Sequence, residues 1–136
     1  MDVKCIAGFA AITKDPAASA SLYKDALGLP LEAMDDYRFM DRFPGANHFG
    51  VWPLEMAAQS CFGQEEWPSE FAEPTSTIEF ELADAAALEA AVCEMKVKGQ
   101  AFIHEARTEP WGQTIARFMS PEGVLIGLSY APWLHE

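Results

Sequence analysis

The sequence predicts an α+β fold built from two similar halves, each running strand, helix, strand, strand, strand. Three observations predict it. Two apolar, strand-like runs open the halves, and each is followed at once by a helix-capping aspartate, Asp15 and then Asp84, about 69 residues on. In each half the helix ends at a glycine. Turn signals then divide the remaining residues into three short strands.

The first run, Val3 to Ile12, is rich in small and β-branched residues and is bounded by Lys14-Asp15-Pro16, so it reads as a buried strand. Asp15 is a good N-cap, and Pro16 suits the first helical position, where its missing N–H costs nothing. Leu22, Tyr23, Ala26 and Leu27 form an apolar stripe at helical spacing. Gly28 ends the helix and Pro30 prevents its resumption. Leu31 to Phe43 reads as two strands around a turn near Asp35-Asp36, and after Pro44-Gly45 the fourth strand covers Asn47 to Trp52.

The second half repeats this order. Thr75 to Leu82 alternates, with Ile78, Phe80 and Leu82 on one face. Asp84 caps a helix carrying Leu88, Ala91, Val92 and Met95, which Gly99 closes. Ala101 to Arg107, Gln113 to Met119 and Val124 to Tyr130 are the remaining strands, the last two joined by Ser120-Pro121-Glu122-Gly123. The chain is expected to be one domain over residues 1–136, with halves of about 1–53 and 75–136 and a crossover of about 54–74. The crossover begins with a short helix after Pro53 and turns acidic and aromatic; a connection this long serves as a functional lid or as a linker.

Half of the 136 residues are hydrophobic, enough for a core without disulfides or a structural metal. Cys5, Cys61 and Cys93 are odd in number and lack CxxC spacing, against a disulfide framework or zinc site. A reducing, cytoplasmic setting is expected, and neither a signal peptide nor a membrane span is read from the chain. The formal charge of −12 disfavours nucleic acid and anionic membranes, and would draw in a cationic ligand.

Phe9-Ala-Ala-Ile-Thr-Lys-Asp-Pro with Leu22-Tyr-Lys-Asp-Ala-Leu-Gly-Leu, and later Glu109-Pro-Trp-Gly-Gln with Phe118-Met-Ser-Pro-Glu-Gly-Val-Leu-Ile, resemble the opening and closing segments of the vicinal oxygen chelate superfamily. That superfamily includes glyoxalase I, bleomycin-resistance proteins and extradiol dioxygenases. The resemblance covers nearly the whole chain. It implies paired βαβββ modules, a cupped, mostly antiparallel sheet, and a homodimer. It also implies positions for a divalent metal on facing strands. Those positions fall here at Gly8, Thr77, Gly127 and near Val51 or Trp52, none of them a metal-ligand set. A register slip of one residue at Gly8 or Gly127 does not restore it. No metal and no cofactor are therefore expected, and glyoxalase I or extradiol dioxygenase activity is disfavoured.

Strand alternation puts Glu79 on the same face as Thr77, and Ser129 on that of Gly127. The expected ligand-binding set is Gly8, Trp52, Thr77, Glu79, Trp111, Arg117, Gly127 and Ser129. In it Glu79 is a base or cation anchor, Gly127 leaves room for a ligand or marks a kink or bulge of the strand, and Arg117 reaches Glu79 or a ligand anion. Glu79 and His104 are the candidate catalytic groups; His48 stands ungrouped, and His135, in the C-terminal tail, is expected to carry nothing. The function expected is metal-free binding of a small amphipathic molecule. The alternatives are a lyase, isomerase or dioxygenase-type enzyme with a non-standard site, or an interaction module whose cup is filled by its own side chains.

Overall fold

A computed structural model describes all residues, 1–136. In chain order the elements are β1 (Cys5–Thr13), α1 (Pro16–Ala20) running into a π-helical turn (Ser21–Ala26), β2 (Glu32–Met34), β3 (Tyr37–Phe43), β4 (Ala46–Pro53) and α2 (Leu54–Phe62). There follow β5 (Ser76–Glu81), α3 (Ala85–Val97), β6 (His104–Thr108), β7 (Thr114–Met119), β8 (Leu125–Tyr130) and a 3-10 turn (Pro132–His135). The strands form one sheet in the order β2-β3-β4-β1-β5-β8-β7-β6. The central β1–β5 pair is antiparallel and joins the two halves; each is flanked by a parallel partner, β4 and β8. No helix is long and apolar enough to cross a membrane.

Both caps form as the sequence requires. Asp15 Oδ1 accepts from the Ala18 amide at 3.1 Å and Asp84 Oδ1 from the Ala87 amide at 2.7 Å, satisfying N–H groups that have no partner inside the helix. One expectation fails after Asp15. The apolar stripe of the first helix does not pack as a stripe, and Leu22 and Leu27 are exposed. The chain winds as a π-helix from Ser21, with more residues per turn than an α-helix. The 3.6-residue spacing therefore no longer returns these side chains to one face. The β6 strand also starts later than expected, at His104.

Alternation divides the sheet into an outer and an inner face. On the outer face α3 packs Leu88, Ala91 and Val92 against Leu82, Ala116, Phe118 and Leu128. A fully buried leucine such as Leu88 contributes roughly 1.5–3 kcal/mol. Leu31, Met40 and Val51 pack with Tyr23 and Phe49 in a smaller cluster beside the π-helical turn.

The inner face is partly filled by the crossover. The short helix read after Pro53 is α2, and it buries Ala57 and Cys61 against Ala10, Ile12, Trp52 and Leu125. These strand residues have the parity of Gly8, His48 and Gly127, so α2 lies inside the curl of the sheet and plugs one end of it. The downstream Trp67 and Phe71 pack edge-on and tilted against Phe62, tying the rest of the crossover down. The crossover is neither a lid over the mouth nor a loose linker in its first half.

Candidate functional site

Beyond the plug the curl leaves a cavity of about 420 Å³. Its walls are largely aromatic and thioether: Tyr37, Phe39, Trp52, Met56, Trp111 and Trp133. Trp111 and Trp133 are about half exposed, at 48% and 42%, and stand at the rim. A second groove, about 470 Å³, follows the crossover. It is open and mostly polar, carrying Lys14, Glu55, Glu65, Glu66 and Glu73 beside Leu54 and Trp67, so it lacks the enclosure that small-molecule sites use.

The polar groups of the cup come from one cross-strand row. Register pairs Asp41 with His48, Gly8 with Glu79, Glu79 with Gly127, Gly127 with Arg117, and Arg117 with His104. A Cβ on Gly8 would lie 3.3 Å from the Cβ of His48, which closes the remaining gap. Asp41, His48, Gly8, Glu79, Gly127, Arg117 and His104 therefore cross seven strands as neighbours on the inner face. The two glycines separate the bulky side chains.

At one end of the row His48 Nδ1 bonds Asp41 Oδ1 at 2.6 Å, and its Nε2 bonds the Tyr37 hydroxyl. The rings of Tyr37, Phe39 and His48 lie nearly parallel, with interplanar angles of 10–19°. Burial, with smaller contributions from the Glu79 and Asp41 charges, pushes the Tyr37 phenol well above its usual range and keeps it protonated. Glu79 Oε1 accepts from Gln113 Nε2 at 2.9 Å; Gln113 also donates to Ser129 and takes the Trp111 indole N–H. The other Glu79 carboxylate oxygen has no protein partner, and no ion pair of the chain involves Glu79.

At the other end Arg117 is fully buried. Its NH1 donates to Glu109 Oε1 at 2.8 Å and to His104 Nε2 at 3.2 Å, and its guanidinium carbon stands 5.6 Å from the centre of the Trp52 ring. Of the two partners expected for Arg117, Glu79 or a ligand anion, Glu79 is not reached: Gly127 lies between them in the register, and the ion pair is with Glu109. The Nε and NH2 groups have no hydrogen-bond partner. Burial and then the cations Arg117 and Arg107 hold the His104 imidazole down at about 4, although a hydrogen bond to the Glu105 carbonyl opposes them. Its Nδ1–H donates to that carbonyl, which leaves Nε2 to accept from Arg117.

Of the expected ligand-binding residues, Gly8, Trp52, Thr77, Glu79, Trp111 and Arg117 line the cavity. Gly127 and Ser129 share the predicted face but lie beneath the lining. The room over Gly127 is taken by the protein itself: an added Cβ would be 2.8 Å from Ile115 Cδ1 and 3.1 Å from Glu79 Cγ. Ser129 is fully buried and holds Gln113. His104 does not line the cavity either, since Arg117 stands in front of it. His135 carries more than expected: its Nε2 bonds Glu81 Oε2 at 2.9 Å, and Glu81 is fully buried and also accepts the Ala131 amide at 2.6 Å. These bonds fix the turn that places Trp133 and Leu134 in the cavity wall.

The reading of the residues missed Tyr37, Asp41 and Gln113, and left His48 ungrouped. The signal was the Pro44-Gly45 turn, from which Asp41 and His48 are equally distant, so that a tight hairpin makes them partners. The Thr77 hydroxyl donates to the Leu125 carbonyl at 2.8 Å. No group of three or more His, Cys, Asp or Glu side chains is arranged to hold a metal ion. The residues at the positions the resemblance implies do not fit one.

A sheet of paired strand-helix halves curled about an inner cavity defines the fold class of the chain. The model of the Glyoxalase/Bleomycin resistance protein/Dioxygenase superfamily matches residues 6–128, and the chain belongs to that superfamily. Among solved structures it is similar to a superfamily member from Vibrio splendidus 12B01, at 14% identity and TM-score 0.57 over 90% of this chain and 96% of that one. It is similar to a hypothetical protein from Bacillus halodurans C-125, at 15% identity and TM-score 0.60 over 93% and 94%. A third is a variant of Streptomyces coelicolor methylmalonyl-CoA epimerase in complex with 2-nitronate-propionyl-CoA, at 18% identity and TM-score 0.57 over 96% and 99%. At these identities the likeness establishes the fold. No curated protein sequence matches the chain.

Proposed function

We propose that the protein binds a small amphipathic molecule in the cup, without a metal. The observation that carries this reading is the cavity of about 420 Å³, apolar and aromatic in its walls and polar along one row. Sites for small molecules have this size and this division of labour: apolar walls supply affinity and a few placed polar groups supply orientation. Planar bodies suit Tyr37, Trp52 and Trp111, whose flat faces bury large area. The polar end meets the free Glu79 oxygen and the Tyr37 hydroxyl, with Asp35 and Asp41 nearby. Arg117, the one arginine or lysine of the lining, is paired with Glu109, so the three carboxylates around the lining favour a neutral or cationic end over an anionic one. The partial plug by α2 leaves this volume open, which weighs against a cup filled by its own side chains.

The test is a titration followed by tryptophan fluorescence, with naphthylmethylamine, naphthylmethanol and naphthoic acid as probes, beside elemental analysis of the untagged protein. Saturable quenching by the amine and the alcohol is expected, with the acid at least about 10-fold weaker, a difference of about 1.4 kcal/mol. Less than stoichiometric metal is expected after dialysis. Absence of saturable quenching by all three probes overturns the binding reading. About one metal per chain surviving dialysis overturns its metal-free part.

A further inference from the structure

We propose that Tyr37 is the specificity-determining group of the cup and that the charge of His48 reverses what it selects. With His48 neutral, Tyr37 favours a ligand that donates a hydrogen bond; with His48 as imidazolium, it favours one that accepts. The proposal rests on the reading of the cup as a small-molecule site and names its ligand class. That class is a flat, uncharged aromatic body, carrying a hydroxyl or N–H group in the first case and a carbonyl or ether oxygen in the second.

One chain of bonds runs from Asp41 Oδ1 through both ring nitrogens of His48 to the Tyr37 hydroxyl, which lines the cavity. The Asp41 carboxylate only accepts, so His48 Nδ1 carries a proton in either charge state. The two states therefore differ at Nε2 alone. Neutral His48 has a lone pair there; the phenol donates its one proton to it, and the hydroxyl turns its own lone pairs to the cup. In the imidazolium, Nε2–H donates to the phenol oxygen, and the phenol proton is released toward the cup. Tyr37 has no third state, because burial, followed by the charges of Glu79 and Asp41, keeps its proton in place.

Two features suit this chain to switching. The His48 and Asp41 side chains are 30% and 54% exposed, so the imidazole exchanges protons with solvent while the phenol faces the ligand space. The backbone also makes room for both rings: a Cβ on Gly50 would lie 2.1 Å from the Tyr37 hydroxyl oxygen, and one on Gly8 would lie 3.3 Å from His48 Cβ. The phenol is thereby held in one place in both states, and only its proton turns. The charged and titratable groups facing His48 are Asp41 and Tyr37 on β3 and, across Gly8 of β1, Glu79 on β5. A ligand beside the phenol meets a donor in one state and an acceptor in the other. A mismatch leaves a buried polar group without a partner, which costs more than a matched hydrogen bond gains.

The test compares 2-acetonaphthone, which only accepts, with 2-naphthol, whose hydroxyl donates. Both are titrated by calorimetry between about pH 5 and 8, where histidines change charge and both compounds are uncharged. The charge of His48 is followed in the same samples by NMR of the 15N-labelled ring. The affinity of the ketone relative to the naphthol is expected to rise at least about 10-fold as His48 gains its proton. Tyr37→Phe is expected to bind both compounds at a ratio flat in pH. Asp41→Asn is expected to move the rise to lower pH, because an anion beside the imidazolium favours it. Three results overturn the proposal and leave the binding reading standing: a ratio constant through the His48 transition, a His48 ring that keeps one charge from about pH 5 to 8, or a rise that persists in Tyr37→Phe. Failure of both compounds and of all three naphthyl probes to bind overturns both.

Discussion

Gly50 offers a direct measure of how tightly the hydrogen-bonded chain Asp41–His48–Tyr37 is packed. Its φ is not positive, so alanine meets no backbone strain there, and any cost comes from contact alone. The added Cβ would sit 2.1 Å from the Tyr37 hydroxyl oxygen and 2.6 Å from the ring carbon bearing it. Ordinary contact begins near 3.4 Å, so the ring must retreat by more than about 1 Å. It has little space to do so, with the Phe39 ring centre 5.6 Å away and that of His48 5.9 Å away. Overpacking of this kind costs about 1–3 kcal/mol, and losing the bond to His48 adds about 1 kcal/mol. The stiffer unfolded chain offsets about 0.4–1 kcal/mol. Gly50→Ala is therefore expected to cost about 1–3.6 kcal/mol, read from the urea midpoint at unchanged slope. In the Tyr37→Ala background the same change should cost nothing, because the colliding ring is gone. A coupling below about 0.5 kcal/mol in this double-mutant cycle refutes the reasoning.

Two further outcomes follow from the titrating groups. His104 is held near 4 rather than 6.5, so the unfolded chain binds the extra proton between those values and stability falls as pH drops through that window. The full shift corresponds to about 3 kcal/mol, reduced to about 1–2 kcal/mol because the ring is partly solvated. His104→Gln should lose less stability than the parent between pH 7 and 4, and an equal loss rejects the assignment. Cys61 is buried and its thiol is pushed up to about 11, chiefly by burial, whereas Cys5 and Cys93 are exposed. A thiol reagent at neutral pH should titrate two groups in the native protein and the third only on unfolding; three fast groups contradict the placement of α2.

Where local chemistry decides the structure, the sequence was enough. Asp15 and Asp84 cap helices because a carboxylate satisfies free amides wherever a helix starts, and Thr77 and Glu79 face the cup because alternation is a property of any strand. The π-helical turn after Ala20 left no such mark, since no residue type encodes a changed number of residues per turn. The same holds for contacts between distant elements. The bond between His135 and Glu81 joins residues 54 apart, and the pairing of Arg117 with Glu109 depends on how the loop before Gln113 folds back. Tyr37, His48 and Asp41 lie between these extremes, because a hairpin turn fixes the register that joins two of them. For Gly127 the sequence left two uses open, room for a ligand or a kink, since periodicity gives a direction and not what fills the space, which Ile115 and Glu79 take here.

The placement of α2 bears on how such a protein diversifies. The sheet must satisfy backbone pairing along all eight strands, so most changes there are constrained by register as well as by the cavity. The crossover helix has no such duty. Met56 lines the cavity while its neighbours Ala57 and Ala58 are fully buried. An exchange at position 56 alone therefore changes the volume of the cavity and leaves the pairing of the sheet untouched. The segment least recognisable as part of the repeat is the one through which the cavity can be reshaped at least cost to the sheet.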